Sequence, residues 1–168
     1  LMKSGAVSPR VVISLSHVPG LNFIREKSDG IHIGARTTIS TLRKSEVVRT
    51  NYRALHESVQ HFAAAQVRNM ATLGGNIGRR SPCANTPPPL MALSAELGLL
   101  GPNGPHFTSI EQYFERAEDF DDSLITEIRI PSPSPNSVST FTELTRNSAD
   151  LAKVNCAANI SIEDGICV

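Results

Sequence analysis

The sequence has no excess of charge of either sign. Its 168 residues include 16 lysines and arginines and 16 aspartates and glutamates, which gives a formal net charge of zero at pH 7. Grooves that bind nucleic acid and surfaces that bind anionic membranes both require a surplus of basic residues. We therefore expect a small molecule or another protein as the partner of this chain.

The chain also lacks a long apolar run. Hydrophobic residues make up 40% of the sequence and charged residues 19%, a balance that is typical neither of a disordered tail nor of a membrane protein. No stretch approaches the roughly 20 apolar residues that a membrane-spanning helix needs. A chain of this length fits one domain, or one domain and part of another, with a buried core.

Motifs that bind metals or supply nucleophiles are missing as well. The three cysteines, Cys83, Cys156 and Cys167, lack C-x-x-C spacing, and the five histidines lack H-x-x-x-H spacing. There is no G-x-S-x-G elbow. We expect no metal site and no catalytic residue. Few cysteines without a signal peptide favour a reducing cytoplasm.

Short apolar runs and turn signals predict strands at the start of the chain. VVISL, residues 11–15, is rich in β-branched residues and predicts a buried strand. The Asp29-Gly30 pair is a strong hairpin signal between LNFIRE, residues 21–26, and IHIGA, residues 31–35. The sequence therefore predicts two antiparallel strands joined by a tight turn.

Capping residues predict helices after this hairpin. Either Thr37 or Thr38 can cap a first helix, and Asn51 can cap a longer one. Three prolines then lead into LMALSAEL, residues 90–97, where proline suits the first helical turn and leucine and alanine suit the body. Ser109 can cap a further short helix.

The second half of the chain predicts mostly antiparallel strands. LITEIRIP alternates apolar and polar residues, which indicates a half-buried strand. PSPSPNS, residues 131–137, predicts a surface connection. Further strand or hairpin signals occur in LGLLG (97–101) with Asn103-Gly104, STFTELT (139–145), VNCAANISI (154–162) and Asp164-Gly165. Helices and strands are thus segregated, and the predicted fold class is α+β.

A segment with two adjacent glycines, TLGGN, suggests a ligand site. Gly74 and Gly75 lack a Cβ atom, so the backbone can take positive φ angles and approach a ligand closely. Consecutive exposed amides in such a turn attract phosphate, and Thr72 and Asn76 can add hydrogen bonds to a diphosphate or a sugar. The segment is therefore a candidate phosphate-binding turn.

The same segment has a plainer interpretation. The glycine pair can be a tight bend that follows a VRNM strand, with no ligand involved. Arg79 and Arg80 can neutralise a bound phosphate, but together with Arg68 they can equally be solvated surface residues. The residues alone leave both interpretations open.

Five motifs in order give the chain a resemblance to a known family. It resembles the FAD-binding medium subunit of the molybdenum hydroxylases, which include the flavoprotein subunit of aerobic carbon monoxide dehydrogenase and the flavin domain of xanthine dehydrogenase. The resemblance covers essentially the whole chain. The motifs are SPRVVISLSHVPGL, IHIGARTTISTL, QVRNMATLGGNIGRRSPCANTPPPLMALSAEL, LITEIRIP and LTRNSADLAKVNCAA.

The resemblance implies a fold and a division into domains. The fold is the FAD-binding fold of the molybdopterin dehydrogenase or vanillyl-alcohol oxidase type, with two α+β subdomains and an antiparallel sheet in the second. Residues 1–20 would be the end of the first subdomain and residues 21–168 most of the second. A C-terminal flavoprotein domain would be absent.

The resemblance also implies which residues contact FAD. Phe62 matches an aromatic residue that packs on a ring of the cofactor, and Ile125 matches an apolar residue on a ring face. Asn85 lies where many relatives have an aspartate that bonds the cofactor, and Thr142 or Glu143 lies where a lysine is common. The remaining expected contacts form the T-L-G-G-N run: Thr72, Leu73, Gly74, Gly75 and Asn76.

The function that the resemblance implies is electron transfer. In such enzymes a molybdenum centre hydroxylates the substrate, and electrons pass through iron–sulfur clusters to FAD and on to an external acceptor. The expected partners are a small subunit with 2Fe-2S clusters and a large molybdopterin subunit, in a cytoplasmic hetero-oligomer. No residue of this chain needs to act as a general acid or base.

One family feature is missing from the sequence. Relatives have a glycine-rich A-G-G-T-like segment just before the position that matches Leu1, and it supplies the main pyrophosphate-binding turn. We expect this chain to be a fragment that binds FAD weakly or not at all by itself. Two alternatives remain: a non-catalytic scaffold that kept the fold and lost the flavin, and a general binder of nucleotide phosphates.

Overall fold

The computed structural model describes residues 8–147, 150–163 and 166–167. Over this part of the chain, helices pack on two antiparallel sheets, one of five strands and one of three. The strands are β1 (Ile24–Lys27), β2 (Gly30–Gly34), β3 (Glu96–Gly101), β4 (Gly104–Ser109), β5 (Leu124–Pro131), β6 (Ser137–Leu144), β7 (Val154–Glu163) and β8 (Ile166–Cys167). The larger sheet has the order β1-β2-β5-β3-β4 and the smaller the order β6-β7-β8. The helices are α1 (Ile39–Lys44), α2 (Glu46–Asn51), α3 (Arg53–Gln60), α4 (Ala65–Met70), α5 (Leu73–Gly78), α6 (Pro87–Ala92), α7 (Ile110–Glu115) and a 3₁₀ helix (Ala117–Phe120).

The predicted hairpin at Asp29-Gly30 is confirmed. Strands β1 and β2 pair antiparallel, with Lys27 opposite Gly30. Gly30 has a φ angle of +142°, and a Cβ atom there would lie 2.1 Å from the carbonyl oxygen of Ile130 on β5. Only glycine fits this position, because it alone avoids both the backbone strain and the clash.

The hydrophobic core lies between the five-stranded sheet and the helices. In β5 the predicted alternation places Ile128 and Ile130 in the core, where they pack with buried residues of β2 such as Ile31 and Ile33. A register shift between β3 and β5 at Gly98/Leu99 interrupts the regular pairing. The fold class is α+β, as predicted.

Two of the predicted helix caps are confirmed and one is wrong. The side chains of Thr38 and Ser109 accept hydrogen bonds from backbone amides in the first turns of α1 and α7. Asn51 instead ends α2, and α3 begins two residues later without a side-chain cap. A cap that was not predicted is Ser45 at the start of α2, whose hydroxyl accepts from the amide of Val48.

The predicted strand at residues 11–15 is wrong. These residues form no regular element, and the side chains of Val11 and Ile13 are 74% and 79% exposed. A β-branched run becomes a strand only when a neighbouring strand pairs with it. In the described part of the chain, no strand pairs with this segment.

The predicted helix over residues 90–97 ends earlier than expected. Helix α6 stops at Ala92, and β3 already begins at Glu96. Between them, Ser94 has a φ angle of +54°, a left-handed conformation that turns the chain into the sheet. The pairing of β3 with both β4 and β5 therefore outweighs the helical preference of leucine and alanine.

The three-stranded sheet packs against α3 and α6. The hydroxyl of Ser139 on β6 accepts a hydrogen bond from the backbone amide of Ala54 in α3, at 3.2 Å. Strand β7 pairs antiparallel with β8, but the predicted Asp164-Gly165 turn lies outside the described residues. None of the helices in the described ranges has the length and apolar character to cross a bilayer.

Candidate ligand-binding site

The T-L-G-G-N segment forms a short helix and not a loop. Thr72 precedes α5, and its side-chain oxygen accepts a hydrogen bond from the amide of Gly75 at 3.1 Å. Neither Gly74 nor Gly75 has a positive φ angle. The residues before them form α4, so the VRNM strand of the plainer interpretation is also wrong.

The amides at the start of α5 are already used within the chain. Each of the first four donates to an acceptor of this chain, so no row of free amides is left for a phosphate, and the expected phosphate-binding turn is wrong in this respect. The bonds run from Leu73 to the Thr37 carbonyl, from Gly74 to the Ala35 carbonyl, from Gly75 to the Thr72 hydroxyl and from Asn76 to the Thr72 carbonyl.

The two adjacent glycines are required for different reasons. Gly74 is buried, and a Cβ atom there would lie 2.7 Å from the Cβ atom and 2.9 Å from the carbonyl oxygen of Ala35. Gly75 is exposed, and a Cβ atom there would lie 2.9 Å from the hydroxyl of Thr72, close enough to displace it, with no other group within 4 Å. The packing of the fold thus explains Gly74, whereas Gly75 leaves bare main chain at the surface.

Two clefts meet at this bare main chain. The first has a volume of about 300 Å³ and lies between α5, the β5 end of the large sheet and the 3₁₀ segment. The second has a volume of about 490 Å³ and lies between α4, α5 and the segment that leads into α6. Thr72 and Gly75 line both clefts, and we call these two residues the ridge.

Seven of the eight predicted site residues line these clefts, and Leu73 does not. The side chain of Leu73 is fully buried in the core. The other seven divide between the clefts: Gly74 and Ile125 in the first, Phe62, Asn76 and Asn85 in the second, and Thr72 and Gly75 in both.

Arg80 is fixed in the wall of the first cleft as an ion pair with Asp121. Its backbone has a left-handed φ angle of +49°. Its guanidinium lies 4.5 Å from the centre of the Tyr113 ring and donates to a carboxylate oxygen of Asp121 at 2.6 Å. Arg36 lines the same cleft. The solvated-surface interpretation is therefore wrong for Arg80, and no local sequence signal predicted its contacts.

The rim of the second cleft is a strained turn that Arg68 holds. Ala63 has a φ angle of +43°, which is unusual for a residue with a side chain. The guanidinium of Arg68 donates to the carbonyl oxygen of Phe62 at 2.9 Å and also to that of Ala63. Arg68 thus fixes the backbone beside Phe62, and the solvated-surface interpretation is wrong for this residue too.

Polar contacts hold the inner wall of the second cleft. The side-chain carbonyl of Asn76 accepts from the hydroxyl of Thr86 at 2.6 Å. The side-chain amide of Asn85 donates to a carboxylate oxygen of Glu143 on β6 at 2.8 Å. These bonds connect α5, the start of α6 and the small sheet. Within the described ranges, no group of three or more His, Cys, Asp or Glu residues could hold a metal ion.

Comparison with known proteins gives a family match over most of the chain. Residues 1–133 match the model of the FAD binding domain in molybdopterin dehydrogenase. The nicotinate dehydrogenase FAD-subunit of Eubacterium barkeri is 27% identical, over 95% of this chain and 56% of that protein. The carbon monoxide dehydrogenase medium chain of Afipia carboxidovorans is 29% identical, over 100% of this chain and 59% of that protein.

Solved structures agree with the sequence match. The crystal structure of a cyanide-inactivated Cu,Mo-CO dehydrogenase superposes with a TM-score of 0.91 at 29% identity, over 99% of this chain and 59% of that chain. A quinoline 2-oxidoreductase from Pseudomonas putida superposes with a TM-score of 0.80 at 25% identity. The chain therefore spans a little over half the length of these relatives.

Proposed function

The chain belongs to the family of FAD-binding domains of molybdopterin dehydrogenases, and from this premise we propose that FAD binds across the two clefts, over the ridge. FAD is the cofactor of this family. The observation that carries the proposal is that seven residues expected to contact FAD line two clefts that meet at Thr72 and Gly75.

The chemistry of the two clefts fits an extended dinucleotide. FAD has two flat ring systems joined by an anionic diphosphate. Arg36 lines the first cleft and Arg79 lines the second, so each cleft offers a cation, and Arg80 lines the first as an ion pair with Asp121. Gly75 has no side chain at the ridge between them, where a larger residue would occupy the space over which the ligand must pass. The residues present therefore fit the cofactor.

We propose different roles for the residues of the two clefts. Phe62 and Ile125 lie in separate clefts and would contact different parts of the ligand. The Thr72 hydroxyl accepts from Gly75, which leaves its proton to donate to the cofactor. The side chain of Leu73 would act only indirectly, because it anchors α5 in the core.

The function proposed for the intact protein is that of the FAD-binding electron-transfer subunit of a molybdenum hydroxylase. Bound FAD would supply the redox chemistry, and this chain's residues would bind and position it. Electrons would come from iron–sulfur clusters and go to an external acceptor. The proposed partners are a 2Fe-2S subunit and a molybdopterin subunit, in a cytoplasmic complex. One relative is named an FAD-subunit and another a medium chain, and these names support a complex of several subunits.

The proposed division of the chain is the one that the resemblance implies. Residues 1–20 would end the first FAD-binding subdomain, and residues 21–168 would form most of the second. FAD would then lie between this chain's ridge and the first subdomain of the intact protein.

The ridge is tested by the substitution Gly75→Val in the intact protein. We expect the variant to lose the visible flavin spectrum and to bind FAD at least tenfold more weakly by isothermal titration, because the valine side chain occupies the ridge. Circular dichroism of wild type and variant checks that both remain folded. Full flavin occupancy in folded Gly75→Val protein would contradict the proposed binding mode.

The same preparation separates the alternatives. A purified wild-type protein without a flavin spectrum and without FAD affinity would support the scaffold interpretation. ADP that competes as strongly as FAD itself would support a general nucleotide-phosphate binder.

A further inference from the structure

The contact between Asn85 and Glu143 joins the second cleft to the small sheet. Asn85 lines the cleft and is only 8% exposed. Its side-chain nitrogen Nδ2 donates to Oε2 of Glu143 at 2.8 Å, across 58 residues of sequence. The carboxamide of Asn85 is therefore nearly buried and bonded to a carboxylate across the cleft wall.

Neighbouring bonds fix the positions of both partners. Glu143 lies opposite Asn155 in the ladder between β6 and β7. The side chain of Asn155 donates to the carbonyl oxygen of Ala84, the residue before Asn85, at 3.1 Å. The small sheet therefore holds both the backbone and the side chain of this part of the cleft wall.

The chemistry of Glu143 decides which end of the carboxamide faces it. An ionised carboxylate can only accept hydrogen bonds, whereas a carboxamide has a donor end and an acceptor end. Asn85 must therefore turn Nδ2 toward Glu143. The acceptor atom Oδ1 of the carboxamide is then not bonded to Glu143, and no residue that the structure describes donates to it.

We propose that Glu143 is a positioning residue that orients Asn85, so that the second cleft presents a hydrogen-bond acceptor to its ligand. The group recognised there is a donor, a hydroxyl or an N–H of the dinucleotide. This inference rests on the proposed function, in which FAD occupies the cleft. It assigns to Glu143 a role in ligand recognition that requires no contact with the ligand.

Exchange of the charges tests the inference directly. Glu143→Lys replaces the acceptor with a donor, so Asn85 turns Oδ1 toward the lysine and its NH₂ group toward the ligand. We expect FAD to bind about tenfold more weakly, the loss expected for one mismatched hydrogen bond. Asn85→Asp alone places two carboxylates together and also weakens binding.

The double variant Asn85→Asp/Glu143→Lys distinguishes orientation from simple structural damage. One aspartate oxygen pairs with the lysine, and the other again offers an acceptor to the cleft. We expect FAD affinity within about threefold of wild type, although each single variant is impaired. Glu115→Lys, which makes the same charge change on the exposed end of α7, is the matched control and should bind FAD normally.

The outcomes separate this inference from the proposed function. If the wild-type intact protein binds FAD but Glu143→Lys binds it equally well, or the double variant is no better than the single ones, the inference is wrong. If the wild type binds no FAD, the proposed function is wrong. In that case the orientation of Asn85 can still be measured without FAD. The side-chain amide signals of Asn85 in NMR spectra should shift in ligand-free Glu143→Lys protein. Unshifted signals would overturn the inference.

Discussion

At the scale of single residues, two neighbouring glycines serve different purposes. Gly74 lets α5 approach Ala35 closely, and its amide donates to the carbonyl of that residue. Gly75, one position later, leaves the ridge bare. Both positions hold the same type of residue, so the sequence does not distinguish their roles. The difference follows only from the atoms that a Cβ atom would contact at each position.

Gly74→Ala should destabilise the fold. The new methyl group would meet the backbone of Ala35, which cannot move without disturbing β2, so we expect the free energy of unfolding to fall by about 1–3 kcal/mol. Gly78→Ala is the matched control in the same helix. Its methyl group would lie 3.7 Å from Ile125, an ordinary contact, and it should leave stability unchanged or raise it by up to about 1 kcal/mol. Urea unfolding measures both, and equal stabilities would refute this account of Gly74.

At the scale of elements, the turn before α4 shapes the rim of the second cleft. Ala63 holds a left-handed backbone, which costs a residue with a side chain on the order of 1–3 kcal/mol. Arg68 lies in α4, and its guanidinium donates hydrogen bonds to the carbonyl oxygens of Phe62 and Ala63 in this turn. The position of Phe62 in the cleft therefore depends on a helix that has no buried residue among those described.

Substitutions of this turn should have opposite effects. Arg68→Met removes both hydrogen bonds, and we expect a loss of about 1–2 kcal/mol in unfolding free energy together with weaker FAD binding. Ala63→Gly keeps the turn and relieves the strain, so it should stabilise the protein by up to about 1 kcal/mol and leave FAD affinity unchanged. Thermal unfolding and FAD titration of the two variants decide this. An Arg68→Met protein with unaltered FAD affinity would show that the turn does not position Phe62.

Local signals in the sequence predicted the elements whose cause is local. The hairpin at Asp29-Gly30 and the caps at Thr38 and Ser109 depend on residues within one turn of each other. Two predictions were wrong because pairing between residues distant in sequence determines the structure there. They are the strand at residues 11–15, which is exposed, and the helix over residues 90–97, which ends early. The site followed the same rule. The resemblance supplied seven of the residues that line the clefts. The ion pair between Arg80 and Asp121 spans 41 residues of sequence and had no local signal.

At the scale of the whole molecule, polar bonds attach the small sheet to α3. Glu57 in α3 accepts from the backbone amide of Phe141 at 2.8 Å, from the hydroxyl of Thr140 at 3.0 Å and from Arg53 at 2.7 Å. Partial burial opposes ionisation of Glu57, but these donors outweigh it and hold the pKa of the carboxyl below its usual value. The attachment of the small sheet is therefore sensitive to acid.

Glu57→Gln should reveal this sensitivity. Because the folded state lowers the pKa, Glu57 stabilises the protein above its unfolded pKa of about 4.5, and this contribution is lost as the pH falls through the lower folded value. We expect Glu57→Gln to lose about 1–2 kcal/mol at pH 7 and progressively less in acid, once the pH falls below the unfolded pKa of about 4.5. Glu46→Gln, at an exposed pair with Arg49, should change stability little. A loss for Glu57→Gln that is the same in acid as at pH 7 would contradict this account.

The position of Tyr113 has a practical consequence. The sequence contains no tryptophan and two tyrosines, so, apart from the weak emission of its six phenylalanines, the intrinsic ultraviolet emission of this chain comes from Tyr113 and Tyr52. Tyr52 is enclosed in the core, whereas Tyr113 forms part of the first cleft wall. The cleft thus has a built-in optical reporter, and occupancy by an absorbing ring can be followed through it without a label.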